Sequence, residues 1–169
     1  MESPLRELVA DRDRLELSLG DALDVKGSIV LVVITFLATL SGSLLESPGL
    51  GRYGRLGQLI SIVALAVGGV LAVVSVWPRN YYFPDLPQKY ERWIADLKAY
   101  YAQQPNQDSL VESTVTEGIV VQAMDRVTRN HKINGSKSRY LLWSFWFTLG
   151  SLAIDLVTLA AIGFSKALS

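Results

Sequence analysis

Three long stretches of the sequence are apolar and almost free of charge. Residues 28–45 and 56–77 contain no Asp, Glu, Lys, Arg or His, and residues 141–164 contain only Asp155. An α-helix rises about 1.5 Å per residue, so about 20 apolar residues cross a hydrocarbon core of about 30 Å. Backbone polar groups find no water in that core, and such segments must therefore be helical. The pattern predicts an all-α membrane protein with three transmembrane helices, the third within residues 140–165.

The N-terminal residues carry the pattern of an amphipathic helix. Ser3 and Pro4 are typical of a helix start. The apolar residues after them recur at spacings of three, four or seven, namely Leu5, Leu8, Leu15, Leu19 and Ala22. The other positions are densely charged, so the apolar face is expected to pack on protein rather than in lipid. Residues 1–27 are predicted to form an amphipathic helix that leads into the first span.

Residues 78–139 are predicted to hold two more helices. One begins at Pro87 and ends near Gln104, and its apolar face recurs at helical period: Leu86, Tyr90, Trp93, Ile94, Leu97, Tyr100 and Tyr101. Ser109 and Glu112 have the spacing of a capping box, so the second begins there and ends at a break near Asn134-Gly135. With the N-terminal helix, these two make a small cytoplasmic bundle. The predicted segments are therefore 1–27, 28–77, 78–139 and 140–165.

The composition removes several classes of function. The 16 basic and 16 acidic residues give zero formal net charge, so nucleic-acid binding is not expected. The chain has no cysteine and one histidine, which excludes thiolate chemistry and His-rich metal sites. It has no phosphate-binding loop, nucleophile elbow or metal-ligand spacing. The protein is predicted not to be an enzyme, to need no cofactor, and to have the lipid bilayer as its first partner.

The basic residues predict the orientation. Thirteen of the 16 lie before the first span or between the second and third, and only Arg52, Arg55 and Lys166 lie on the other side. Lys and Arg near the ends of spans favour the cytoplasmic side. The N-terminus and residues 78–139 are therefore expected in the cytoplasm, with the spans in the inner (plasma) membrane.

Asp155 is the best candidate for an intramembrane polar site. A charge in mid-span costs several kcal/mol, so this carboxyl must be protonated or paired. One interpretation is an ion path, a proton site or a contact within an oligomer. The other is a hydrogen bond between helices, with Thr35, Thr39 or Ser61 as the partner.

Small residues form ridges on two of the spans. Ala64, Gly68 and Ala72 lie along the second span, and Ala38 and Gly42 along the first. Such ridges let helices approach closely, either between spans one and two of one chain or between copies. A homo-oligomer is expected, because three thin helices with one buried acid do not enclose a pore alone.

Basic residues also cluster before the third span: Arg126, Arg129, Lys132, Lys137 and Arg139. They suit an anionic ligand, or they reflect topology and contact with anionic lipid. His131 continues an apolar stripe and is expected to be a packing residue.

Three short motifs together resemble the membrane effectors of Pycsar antiphage defence systems. They are Leu23-Asp24-Val25-Lys26-Gly27 before the first span, Trp77-Pro78-Arg79 after the second, and Asn134-Gly135-Ser136-Lys137 before the third. Gly27 departs from the Ala that is more typical after the Lys.

The resemblance implies a bacterial inner-membrane effector that disrupts the membrane when a cyclase makes cyclic CMP or cyclic UMP on infection. It also implies that Asp24, Lys26, Arg79 and Lys137 bind the ligand, with Tyr81, Tyr82 or Trp93 as a flat neighbour for the base. The alternative for the four charged residues is an ion-pair network that ties the spans together. The alternative function is a small accessory or assembly subunit of a larger membrane complex, and a constitutive channel would rest on Asp155 alone.

Overall fold

The computed structural model describes residues 4–48, 50–85 and 87–167 and contains four α-helices in that part of the chain. They are α1 (Pro4–Leu45), α2 (Arg52–Val76), α3 (Pro87–Tyr100) and α4 (Gln107–Ala167). Parts of α1, α2 and α4 are long and apolar enough to cross a membrane. The predicted all-α class with three candidate spans is confirmed. Ser3 and Leu86 lie outside the described residues, as do the side chains of Leu5 and Lys166.

The chain divides into two compact units. The membrane unit comprises Gly20–Pro78 and Asn134–Ser169, and the extramembrane unit comprises Met1–Leu19 and Arg79–Ile133. The membrane unit contains the three apolar stretches. The extramembrane unit contains α3, the start of α1 up to Leu19 and the start of α4 up to Ile133.

The predicted break at Asn134-Gly135 is wrong, because α4 continues through both residues. A glycine inside a helix costs about 1 kcal/mol relative to alanine, which is not enough to end a helix supported by its neighbours. Gly135 is exposed, whereas Asn134 beside it is 2% exposed and packed. The predicted capping box is also wrong, since α4 begins at Gln107, before Ser109.

Buried positions in the membrane unit follow alternating steps of three and four along each helix. On α2 they are Gln58, Ser61, Leu65, Gly68, Ala72 and Ser75. On α4 they include Asn134, Lys137, Ser144, Thr148, Ser151, Asp155 and Thr158. The buried apolar cluster consists of Ile34 and Leu37 from α1 with Leu65 and Ala72 from α2. One face of each helix therefore points to a shared interior.

The ridge on α2 packs within the chain, although its glycine contacts α4 rather than α1. A Cβ on Gly68 would lie 3.3 Å from the Phe147 Cβ and 3.4 Å from the Ser144 carbonyl oxygen. The Ser144 hydroxyl donates to the Gly68 carbonyl oxygen at 2.8 Å. The predicted ridge on α1 makes no such contact at Gly42, because nothing lies within 4 Å of a Cβ at that position.

In the extramembrane unit, α3 packs along the first part of α4. Trp93 lies directly against Gly118, where the absence of a side chain leaves room for the indole. Tyr90 donates a hydrogen bond to the Gln122 side chain at 3.2 Å. The predicted aromatic face is correct at these two residues but not at Tyr100, which is 79% exposed.

The buried face of α1 in this unit is not the predicted leucine face. Leu8, Leu15 and Leu19 are all exposed. The buried positions are Val9, Asp13 and Glu16, and both acids have basic partners from α4. Ion pairing rather than apolar burial therefore sets the rotation of this part of α1.

Candidate functional site

Asp155 lies at the centre of a cluster of hydroxyl groups inside the membrane unit. It is 0% exposed. The Ser41 hydroxyl donates to Asp155 Oδ2 at 2.8 Å, and the Ser61 hydroxyl donates to Oδ1 at 3.0 Å. Each carboxyl oxygen thus accepts one hydrogen bond, and one donor comes from each of the other two spans.

The Ser61 hydroxyl is crowded. Besides Asp155, it lies 2.6 Å from the Ser151 hydroxyl and 3.1 Å from the Ser41 hydroxyl. A serine hydroxyl carries one proton, so when Ser61 donates to Asp155 the Ser151 hydroxyl must donate to Ser61. The group that accepts the Ser61 proton therefore determines which hydroxyl is the donor in each of the other hydrogen bonds of the cluster.

Of the partners predicted for Asp155, Ser61 is correct, and Thr35 and Thr39 are wrong. Both threonines are exposed, and their hydroxyls donate to carbonyl oxygens one turn earlier on α1, those of Leu31 and Thr35. Ser41 is the partner that sequence reasoning missed. Its signal was present, because Ser41 lies four residues after buried Leu37 and three before buried Leu44.

Gln58 is a second polar group at this depth. It is 0% exposed, and neither its amide oxygen nor its amide nitrogen has a hydrogen-bond partner. A buried amide without partners costs roughly 1–3 kcal/mol. Sequence reasoning missed Gln58, although a polar amide among the apolar residues near the start of the span was a visible signal.

Asp24 and Lys137 form an ion pair in the membrane unit. Lys137 Nζ lies 2.6 Å from Asp24 Oδ1; the lysine side chain is 1% exposed and the aspartate 41%. The structure therefore brings together two of the four predicted ligand residues, with the cation inside and the carboxylate at the surface. A buried ammonium is stable only when paired and hydrogen-bonded, and Asp24 supplies the countercharge.

Lys26 lines an open groove in the same unit. The groove has a volume of about 440 Å³ and is otherwise mostly apolar, lined by Leu23, Lys26, Ile29, Val30, Ser138, Leu141, Leu142 and Phe145. Lys26 is exposed, so its ammonium is accessible to an anion. Arg79 belongs to the extramembrane unit, and its place beside the other three residues stays a prediction.

The extramembrane unit holds its own buried ion pairs. Arg126 donates from Nε and Nη2 to Asp13 Oδ2 at 3.2 and 3.0 Å. Glu16, 1% exposed, receives Arg12 Nη2 at 3.2 Å and His131 Nδ1 at 3.1 Å. The prediction that His131 is a packing residue is wrong, because its side chain is 66% exposed and binds a carboxylate.

Tyr82 is already engaged by neighbours in the extramembrane unit. The Asn130 side chain accepts from the Tyr82 N–H and donates to the Tyr82 carbonyl, both at 3.0 Å. The Arg129 guanidinium lies 4.7 Å from the centre of the Tyr82 ring. Hydrogen bonds to Asp125 and then to Tyr82 raise the pKa of Arg129 above its usual value, so it stays cationic. One face of Tyr82 is thus covered by a cation.

Among the described residues, no group of three or more His, Cys, Asp and Glu side chains is placed to hold a metal ion. The sites of the molecule are instead an intramembrane carboxyl among hydroxyls and a buried lysine bound to a half-exposed aspartate.

Comparison with known proteins gives one result. The family model described as the Pycsar effector protein domain matches residues 8–164. No curated protein and no solved structure matches the chain. The family is not a known enzyme family. With three helices apolar enough to cross a bilayer, the chain is a multi-pass membrane protein. Because the match covers far more than half of its length, the protein belongs to the Pycsar effector family.

Proposed function

We propose that this Pycsar effector acts in the bacterial inner membrane and disrupts membrane integrity after a cyclic pyrimidine nucleotide is made on infection. The observation that carries the proposal is the family match over residues 8–164. Three candidate spans support action in the bilayer.

The pair of Asp24 and Lys137 is the proposed receptor for the signal. A cyclic mononucleotide carries one phosphodiester charge, which is the same charge that Asp24 presents to Lys137. The phosphate therefore replaces the carboxylate without leaving the buried ammonium unpaired. Asp24 is 41% exposed, so it is free to turn away into water. Lys26, which lines the groove in the same unit, is proposed to add a second cation.

The groove beside Lys26 also offers a place for the base. Phe145 is 47% exposed and lines this groove, so it presents a flat apolar face next to the cations. Tyr82, by contrast, has one face under Arg129. We place the pyrimidine against Phe145 rather than against Tyr82.

A homo-oligomer is the proposed active form. Leu8, Leu15 and Leu19 on α1 are exposed in the extramembrane unit, where burial of apolar surface stabilises by about 25 cal/mol per Å². Their spacing is that of a helix face that binds a second helix. A second copy of the chain is the proposed partner for this face.

Calorimetry on the full chain in mild detergent tests the receptor. Cyclic CMP or cyclic UMP is expected to bind, and Lys137→Ala or Lys26→Ala to weaken binding at least about tenfold, since a charge-assisted contact is worth roughly 1.5–3 kcal/mol. Lys132→Ala, an exposed lysine of α4 in the other unit, is the control and should bind as wild type. No binding of either nucleotide by the wild-type protein would refute direct reception.

Dye release from vesicles tests the effect on the membrane. The protein in vesicles of bacterial lipid is expected to release a trapped dye or ions only after nucleotide is added. Vesicles that stay sealed with bound nucleotide would contradict membrane disruption while leaving reception intact.

A further inference from the structure

The interior of the membrane unit holds a set of polar side chains beside its apolar cluster, whereas its outer surface is apolar. The buried positions of α4 from residue 144 onward carry Ser144, Thr148, Ser151, Asp155 and Thr158, and the facing helices add Ser41, Gln58, Ser61 and Ser75. Val63, Val70 and Val157 on the outside are all more than 60% exposed. Packing alone does not require this arrangement, because small apolar residues pack helices in lipid without any desolvation of polar groups. Hydroxyl groups also join helices in membranes, whereas an ionisable residue such as Asp155 inside a span is a candidate for an ion site.

Hydrogen-bonding capacity is left over at the depth of Asp155. Gln58 is fully buried, and both polar atoms of its amide have no partner. A Cβ on the preceding residue, Gly57, would lie 3.7 Å from Ile154 Cγ2, so this turn of α2 is level with Asp155 on α4. Asp155 uses two of its roughly four lone-pair directions, those toward Ser41 and Ser61. The cluster therefore has more acceptors than donors.

The cluster also lacks a positive charge. Residues 28–45, 56–77 and 141–164 contain no Lys, Arg or His, so no residue of the spans neutralises an ionised Asp155. An ionised carboxylate in a bilayer without a countercharge is strongly disfavoured. The species that would satisfy the cluster is a small cation.

The donor set restricts which cation fits. All the available ligands are oxygens, which suits hard cations rather than transition metals. The cluster supplies one negative charge, and among the described residues no set of three His, Cys, Asp or Glu groups is placed around a metal. A single carboxylate balances a monovalent ion.

We propose that Asp155, Ser41, Ser61 and Gln58 form an intramembrane binding site for a monovalent metal cation: Na⁺, K⁺ or Li⁺. Asp155 supplies the charge, the Ser41 and Ser61 hydroxyls turn their protons outward to present oxygen lone pairs, and the Gln58 amide oxygen completes the set. A further consequence rests on the proposed function: the leak produced by the effector passes cations in preference to anions, because the buried groups of its spans carry one acid and no base.

Thermal unfolding of the full chain in mild detergent tests the site without any signal nucleotide. Samples contain lithium, sodium, potassium or choline chloride at equal ionic strength and at one pH. At ten times its dissociation constant, a cation favours the folded state about elevenfold. The wild-type unfolding midpoint is expected to be higher in at least one of the three metal cations than in choline.

Asp155→Asn is expected to remove that response, and Gln58→Leu to weaken it about tenfold. Thr39→Val is the matched control, because Thr39 lies near Ser41 on the exposed face of α1 and donates to its own helix. If Asp155→Asn does not fold, the unfolding midpoints of Ser41→Ala and Gln58→Leu in the same salts test the site instead. Equal wild-type midpoints in all four salts would overturn the site.

Flux measurements separate this proposal from the proposed function. With nucleotide present, vesicles should show cation flux exceeding chloride flux, and Asp155→Asn should remove the difference. Chloride flux equal to cation flux would overturn the selectivity while leaving membrane disruption in place. Absence of all flux, combined with a cation-dependent unfolding midpoint, would support the site and contradict the proposed function.

Discussion

At the scale of single residues, the two buried ionisable side chains of the membrane unit, Lys137 and Asp155, have different kinds of partner. Lys137 is buried against a carboxylate that is itself half-exposed, so the pair is accessible from one side. Asp155 has only hydroxyl partners, and both come from neighbouring spans. The first arrangement is the proposed receptor for an anion, and the second is the proposed site for a cation.

We predict that removing the two partners of the ion pair has unequal costs. Asp24→Asn takes the countercharge from a buried ammonium and should lower the free energy of unfolding by about 3 kcal/mol. Lys137→Met leaves a half-exposed carboxylate that water can solvate, and should cost about 1 kcal/mol or less. Denaturant titrations of both variants in the same detergent measure the difference. Equal losses would mean that the lysine is not held by Asp24.

Sequence reasoning placed Asp155 inside a span but did not reveal that Lys137 is buried. Asp155 stood out because it is the only charge within three apolar stretches. Lys137 was indistinguishable from its neighbours Lys132 and Arg139, since a cluster of basic residues does not reveal which member turns inward. Its position three residues after Asn134 and seven before Ser144 places it on the buried side of α4, a periodicity visible only once the buried set is known.

At the scale of helices, the contact between α2 and α4 is made by small and hydroxylated residues. Ser61 meets Ser151, and Gly68 meets Ser144. Close backbone approach of this kind depends on the absence of larger side chains.

The cysteine-free sequence permits a direct test of this contact. The double variant Ser61→Cys, Ser151→Cys should form a disulfide on mild oxidation, because the two hydroxyl oxygens are 2.6 Å apart. The pair Ser61→Cys, Gly150→Cys is the control, since Gly150 has no neighbour within 4 Å of its Cβ position. Similar cross-linking of both pairs would show that α4 is rotated from the position described above.

We also predict that Gly68 tolerates no larger residue. Gly68→Val forces its side chain against Phe147 and the Ser144 carbonyl and should cost about 1–3 kcal/mol of stability. Gly42→Val should leave the unfolding midpoint close to that of wild type, because the space around it is open. If the two variants unfold at the same temperature, the packing of Gly68 on α4 is not a source of stability.

The extent of the helices was only partly predictable. Absence of charge defined the apolar stretches well, because lipid imposes that composition. The rotation of α1 could not be predicted from its leucines. Asp13 and Glu16 are buried against Arg126 and His131, which lie more than a hundred residues later in the sequence.

At the scale of the whole molecule, the exposed leucine face of α1 is the strongest indication of self-association. Leu15→Glu should shift the full chain in mild detergent from oligomer to monomer, as measured by light scattering. Arg14→Glu, an exposed neighbour, is the control and should leave the mass unchanged. A monomeric wild-type protein, with and without nucleotide, would contradict the oligomer.

The orientation is tested by single cysteines in the otherwise cysteine-free chain. With the proposed topology, an impermeant maleimide should label Tyr53→Cys in intact spheroplasts. It should label Lys98→Cys only after the membrane is opened, because most basic residues favour the cytoplasmic side. The reverse pattern would place the extramembrane unit outside the cell.

The alternating three- and four-residue steps of the buried positions have a mechanical consequence. On a straight helix this repeat drifts by about 20° per seven residues, so from Ser144 to Thr158 the polar face of α4 turns by only about 40° and stays within one buried stripe. A larger rotation would move hydroxyls toward lipid. A single alanine inserted between Leu149 and Gly150 would turn Ser151, Asp155 and Thr158 by about 100° relative to Ser144. Torsion of α4, rather than its tilt, is therefore the motion to which the intramembrane carboxyl is most sensitive.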